Sequence, residues 1–99
     1  MWGVNQDRMV DFETIFTVTG PRAQYEIARL LKLEFIPTIG MELTLFPHGP
    51  TLTVEHVRMN VTTASGSIQL SHHDCGDMTK ALFAKEEKEL EAEGWHSIN

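Results

Sequence analysis

"PRAQYEIARLLKLEF", residues 21–35, decides how the rest of the chain is assembled. Ala23, Ile27, Leu30, Leu31 and Glu34 fall at helical spacing, with Arg22, Glu26, Arg29 and Lys32 on the other side, the pattern of an amphipathic helix. Pro21 suits the first helical position, where a missing N–H has no intrahelical partner to lose. Pro37 pushes Ile36 out of helical conformation, so the segment should stop near Leu33 to Phe35. This reading predicts a first helix whose exposed side carries Arg22, Arg29 and Lys32.

Upstream, Val10, Phe12, Thr14, Phe16 and Val18 alternate with Asp11, Glu13, Ile15, Thr17 and Thr19, which predicts a strand over 9–19 with one buried face. Downstream, "TIGMELTLF" (38–46) reads as a second strand, and "PHGP" (47–50) as a turn. In "TLTVEHVRMNVT" (51–62), Leu52 and Val54 share one parity while Val57, Met59 and Val61 share the other. A strand that keeps one face buried must then slip by one residue, which predicts a β-bulge near Glu55 and His56. "TASG" (63–66) turns into "SIQLSHH" (67–73), a further strand with Ile68 and Leu70 inward. "DMTKALFAKEEKELEAEG" (77–94) reads as a helix with Asp74 or Asp77 near its start and Gly94 as its stop.

The expected fold is therefore α+β: a bent antiparallel sheet of about four strands, open or partly closed as a small barrel, with two helices in the order β-α-β-β-β-α. One domain spans 1–99, with residues 1–8 flexible and 95–99 a C-terminal tail that folds back. The expected core draws on Phe12, Phe16, Val18, Ile27, Leu30, Leu31, Met41, Leu43, Leu45, Val57, Met59, Ile68, Leu70, Leu82 and Leu90.

Bulk properties narrow the function classes. A length of 99 residues with 41% hydrophobic and 22% charged content fits one ordered domain. A net charge of −6 works against nonspecific attachment to phosphate backbones, so nucleic acid is an unfavoured partner. Neither an 18-residue apolar run nor an export signal is present, which sets the expectations of no membrane association and a cytoplasmic location. The lone cysteine, Cys75, excludes an intramolecular disulfide. No phosphate loop, nucleophile elbow or zinc-protease motif occurs, so enzyme activity has no positive support and no cofactor is expected.

"SHHDCGD" (71–77) gathers two histidines, two aspartates and that cysteine. In the strand register that sets Leu70 opposite Met59, His73 falls opposite His56 at about 5 Å between Cβ atoms. His56, His73 and Asp74 are then the candidate metal or ligand residues, with His72 turned toward the core edge. On the last helix, Glu86 falls among Met78, Leu82, Phe83 and Leu90 on the apolar face, an unusual place for a carboxylate. Glu87 and Glu91 form a like-charge pair near the negative end of the helix dipole.

The favoured function is a small non-enzymatic interaction or regulatory domain. It would bind a protein partner, or itself as a homodimer, through the polar sheet face or the acidic helix. The residues singled out for binding are His56, Arg58, His73, Asp74, Glu86, Glu87 and Glu91. Two alternatives come from other classes: a metal- or small-ligand-binding protein, hydrolase included, centred on His56, His73 and Asp74, and an acidic mimic of nucleic acid.

Overall fold

The computed structural model describes residues 9–98, so the expected flexibility of residues 1–8 lies outside the described residues. Strand β1, Val10–Thr19, buries Phe12, Thr14, Phe16 and Val18 on one face, as its alternation requires.

The next segment overturns the helix expected at 21–35: residues Gln24–Leu33 form a ten-residue strand, β2, paired antiparallel with β1 along its whole length. The sequence carries two periods at once. Tyr25, Ile27, Leu31 and Leu33 also alternate, and these odd positions face the core while Gln24, Glu26, Leu30 and Lys32 are exposed. Gly20–Ala23 is a tight turn in which the Gly20 N–H donates to the Ala23 carbonyl at 2.7 Å. Proline at the second position of such a turn presets its backbone angle, so Pro21 begins a hairpin rather than a helix. Local spacing allowed either element, and pairing with the long neighbouring strand selects the sheet. Leu30, expected in the core, is 56% exposed as a consequence. The supposed basic helix face also disperses: Arg22 sits in the turn, Arg29 on the inner side, and Lys32 outside, 3.3 Å from Asp11.

Five further strands follow: β3 (Glu42–Thr44), β4 (Thr51–Asn60), β5 (Ser65–Leu70), β6 (His73–Asp74) and, after the helix, β7 (His96–Ser97). The sheet runs β3-β4-β5-β1-β2-β7, with β6 also on β1. Among the described residues it has seven strands, is mixed and does not close, in place of the four-strand antiparallel sheet expected, because β5 and β6 both run parallel to β1.

Two slips of one residue shape this sheet. In β4, Val54 opposes Leu70 but His56 opposes Gln69, leaving Glu55 as the extra residue. The bulge lies where the parity change in the sequence put it, and it keeps Leu52, Val54, Val57 and Met59 on the core side. Along β1, Ile15 aligns with Gln69 while Val18 aligns with His73, so one extra residue separates β5 from β6. That second slip swings His73 onto the inner face beside Val18 and leaves His72 exposed, the reverse of the expected orientations.

The one helix among the described residues, α1 (Lys80–Ala92), covers the inner face. Thr79 caps its start, Oγ1 accepting from the Leu82 N–H at 3.2 Å, in the role expected of Asp74 or Asp77. At its end Gly94 takes φ +95°, a left-handed angle that suits glycine. The chain then folds back: Trp95 is 2% exposed and packs edge-on against Phe16, and β7 adds to β2. Leu90 is the helix's buried anchor, whereas Leu82, expected in the core, is 55% exposed. No helix among the described residues is long and apolar enough to cross a membrane.

Candidate functional site

The sheet presents two chemically different faces. Under α1, the inner face holds a short polar network set into the core. His73 Nε2 and Glu86 Oε1 are 2.8 Å apart, an ion pair whenever the imidazole is protonated and a hydrogen bond otherwise. The Phe16 ring meets the same imidazole edge-on at 6.3 Å. The carboxylate that looked misplaced on the apolar helix face thus has its partner on β6.

At the next residue of the helix, Glu87, Oε2 accepts from the Tyr25 hydroxyl at 2.9 Å. Burial foremost, then this bond and the nearby charges of Glu87, Cys75 and Glu91, push the Tyr25 phenol well above its ordinary range. Cys75 is buried between the two pairs. Burial, followed by the negative charges of Glu86 and Asp74, pushes its thiol upward, so it stays protonated at neutral pH and lacks the thiolate character of a nucleophile.

Beside Tyr25 lies a cavity of about 270 Å³ between β2, β7 and α1. Ile27, Leu90 and Trp95 supply its apolar wall, and Glu87, Lys88 and Glu91 line it from the helix. Among the described residues, Trp95 Nε1 is the one buried side-chain polar atom without a hydrogen-bond partner.

The outer face is open. Its ladders align Arg58, Ser67, Glu13 and Leu30 in one row across β4, β5, β1 and β2, and His56, Gln69, Ile15 and Ala28 in the next. A third row carries Asn60, Ser65, Asp11 and Lys32. Of these residues only Ala28 is buried. A shallow groove on this face runs past Glu13, Ile15, His56, Arg58 and Gln69.

The fold therefore divides the residues singled out in the sequence. His56 and Arg58 stand together on the outer face, and His73, Glu86, Glu87 and Glu91 gather on the inner side. Asp74 is exposed beside Thr19, its carboxylate accepting from the Gly76 N–H at 2.9 Å. His56 opposes Gln69, not His73, so the proposed histidine pair does not form: each β4 residue after the bulge meets a partner four residues earlier in the chain than expected, and the second slip turns His73 inward. Among the described residues no group of three or more His, Cys, Asp or Glu side chains is placed to hold a metal ion.

No protein-family model matches the chain, and neither a curated protein nor a solved structure shows significant similarity to it. Its function has to be argued from these two faces. Tyr25 and Trp95 on the inner side, and Glu13, Ile15 and Gln69 on the outer, were missed in the sequence. The alternation of Tyr25, Ile27, Leu31 and Leu33 was the signal for the first of these. The outer residues required the parallel β1–β5 pairing, which no local pattern encodes.

Proposed function

We propose that this protein is a small interaction domain that binds a protein partner through the outer face of its sheet, around Arg58, His56, Gln69, Ser67 and Glu13. The supporting observation is the open face itself. Three aligned rows of side chains cross four strands with one buried residue among them, whereas Glu86 and Glu87 of the helix are engaged inward with His73 and Tyr25. Interfaces favour arginine at their energetic centre and a polar rim around it. Arg58 stands among polar neighbours, with the exposed Leu30 and half-buried Ile15 adding apolar area.

Of the two surfaces the sequence offered, the polar sheet face and the acidic helix, this reading keeps the sheet. It is tested by affinity capture from the native cell extract with the wild-type chain and with a His56→Glu/Arg58→Glu variant, followed by quantitative mass spectrometry. A set of proteins retained by the wild type and lost by the variant, at unchanged thermal stability, supports it. Identical retention by the two chains contradicts it.

A further inference from the structure

Taking the outer face as the binding surface proposed above, on which this step rests, we infer that its occupant is a second copy of this chain. The two copies stack outer face to outer face, related by a two-fold axis that runs along β5 between the sheets.

The charges of the face select this partner. Arg58 on β4 and Glu13 on β1 stand in one row, both exposed, with Ser67 of β5 between them. Two strand spacings, about 9.6 Å, keep them apart, and among the described residues neither forms an ion pair. Rotation by half a turn about β5 exchanges the places of β4 and β1 and leaves each row at its own height. It sets Arg58 of each copy over Glu13 of the other, so one operation answers both charges. In the flanking rows it sets His56 over Ile15 and Asn60, a side-chain N–H donor, over the Asp11 carboxylate. Ser67 and Gln69 meet their own counterparts on the axis, and each carries both a donor and an acceptor. Such self-complementarity is what an isologous interface requires.

Distance and local charge allow the contact. Stacked sheets lie about 10 Å apart, a gap that an arginine and a glutamate reaching from opposite sides can close. Packed sheets also turn by about 30° relative to one another, but Arg58 and Glu13 are one strand from the axis, so the turn shifts them by only about 2–3 Å. Asp11 and Lys32 already pair within each copy at 3.3 Å. The three rows thus hold two positive side chains, Arg58 and Lys32, and two negative ones, Asp11 and Glu13, and sum to zero in a chain of net charge −6. The excess negative charge lies outside them, and a neutral face is where like-charged copies can approach. The overlap covers only β4, β5 and β1, which is small beside a standard interface. The dimer is therefore weak and separates on dilution.

The test is sedimentation equilibrium from micromolar to millimolar concentration on the wild type, on Arg58→Glu and Glu13→Arg alone, and on the two variants mixed in equal amounts. The wild type should pass from monomer to dimer as concentration rises. Each variant alone meets like charge at both pairs, and its association should weaken about tenfold or more. The mixture should recover the wild-type association, because every altered position then faces the opposite charge on the other variant. Both positions are exposed, so the variants keep the fold. A wild type that stays monomeric throughout, single variants that associate as well as the wild type, or a mixture that fails to recover overturns the inference. A monomeric wild type that still retains Arg58-dependent proteins from cell extract overturns the second copy as occupant and leaves the outer face as the binding surface; loss of that retention as well overturns both readings.

Discussion

The two faces of the sheet are built from the same strands and from alternate residues, yet they do opposite things. Phe12, Phe16 and Val18 of β1 are fully buried under α1 and Trp95, while Glu13, Ile15 and Thr17 of the same strand stay at least partly exposed. Because the side-chain period of a strand is two, neighbouring residues differ by the whole distance between core and solvent. In this protein the inner face holds the fold and the outer face is free to vary its chemistry.

The sharpest way to break the comparison is to truncate adjacent residues of β1. Phe16→Ala should cost about 3–5 kcal/mol by chemical denaturation, and Ile15→Ala well under half of that. Similar losses would mean that the outer face is covered in solution. Next in size is Gly66→Ala. A Cβ there would come within 2.3 Å of the Arg58 carbonyl oxygen and press on the Phe12 ring, an overpacking cost of about 1–3 kcal/mol. Its neighbour Ser67 points outward, and Ser67→Ala should stay within about 0.5 kcal/mol.

How much of this was legible in the sequence follows the same division. Strand β1, the bulge at Glu55 and the last helix each leave a local periodic record, and each was readable. Residues 24–33 were not, because Ile27, Leu30 and Leu31 fit a helix while Tyr25, Ile27, Leu31 and Leu33 fit a strand. The choice rests on β1, which offers ten pairing positions that a helix would have left open. The placement of His73 depends on a one-residue slip between β5 and β6 relative to β1, a property of non-local parallel pairing. The polar character of the outer face was foreseen, whereas the pairs on it were displaced: Arg58 meets Ser67 where Ser71 was expected.

Smaller effects sharpen the contrast within α1. Glu86→Ala leaves His73 without its partner in a largely buried setting and should cost about 1–3 kcal/mol. Glu89→Ala, on the exposed side, should cost less than about 0.5 kcal/mol. The Tyr25 phenol is raised in the folded state, so the unfolded chain gives up this proton first as pH climbs. The associated stability is complete below about pH 10 and declines above it. Tyr25→Phe should flatten that alkaline decline in urea midpoints measured across the range.

The division between the faces is tested most directly by photo-crosslinking in the native cell. A photoreactive residue replaces Arg58 or Gln69 on the sheet in one pair of variants, and Lys85 or Glu89 on the exposed side of α1 in the other. The account predicts discrete heavier adducts from the sheet positions and none from the helix. Adducts from the helix positions alone, or from none of the four, would contradict it.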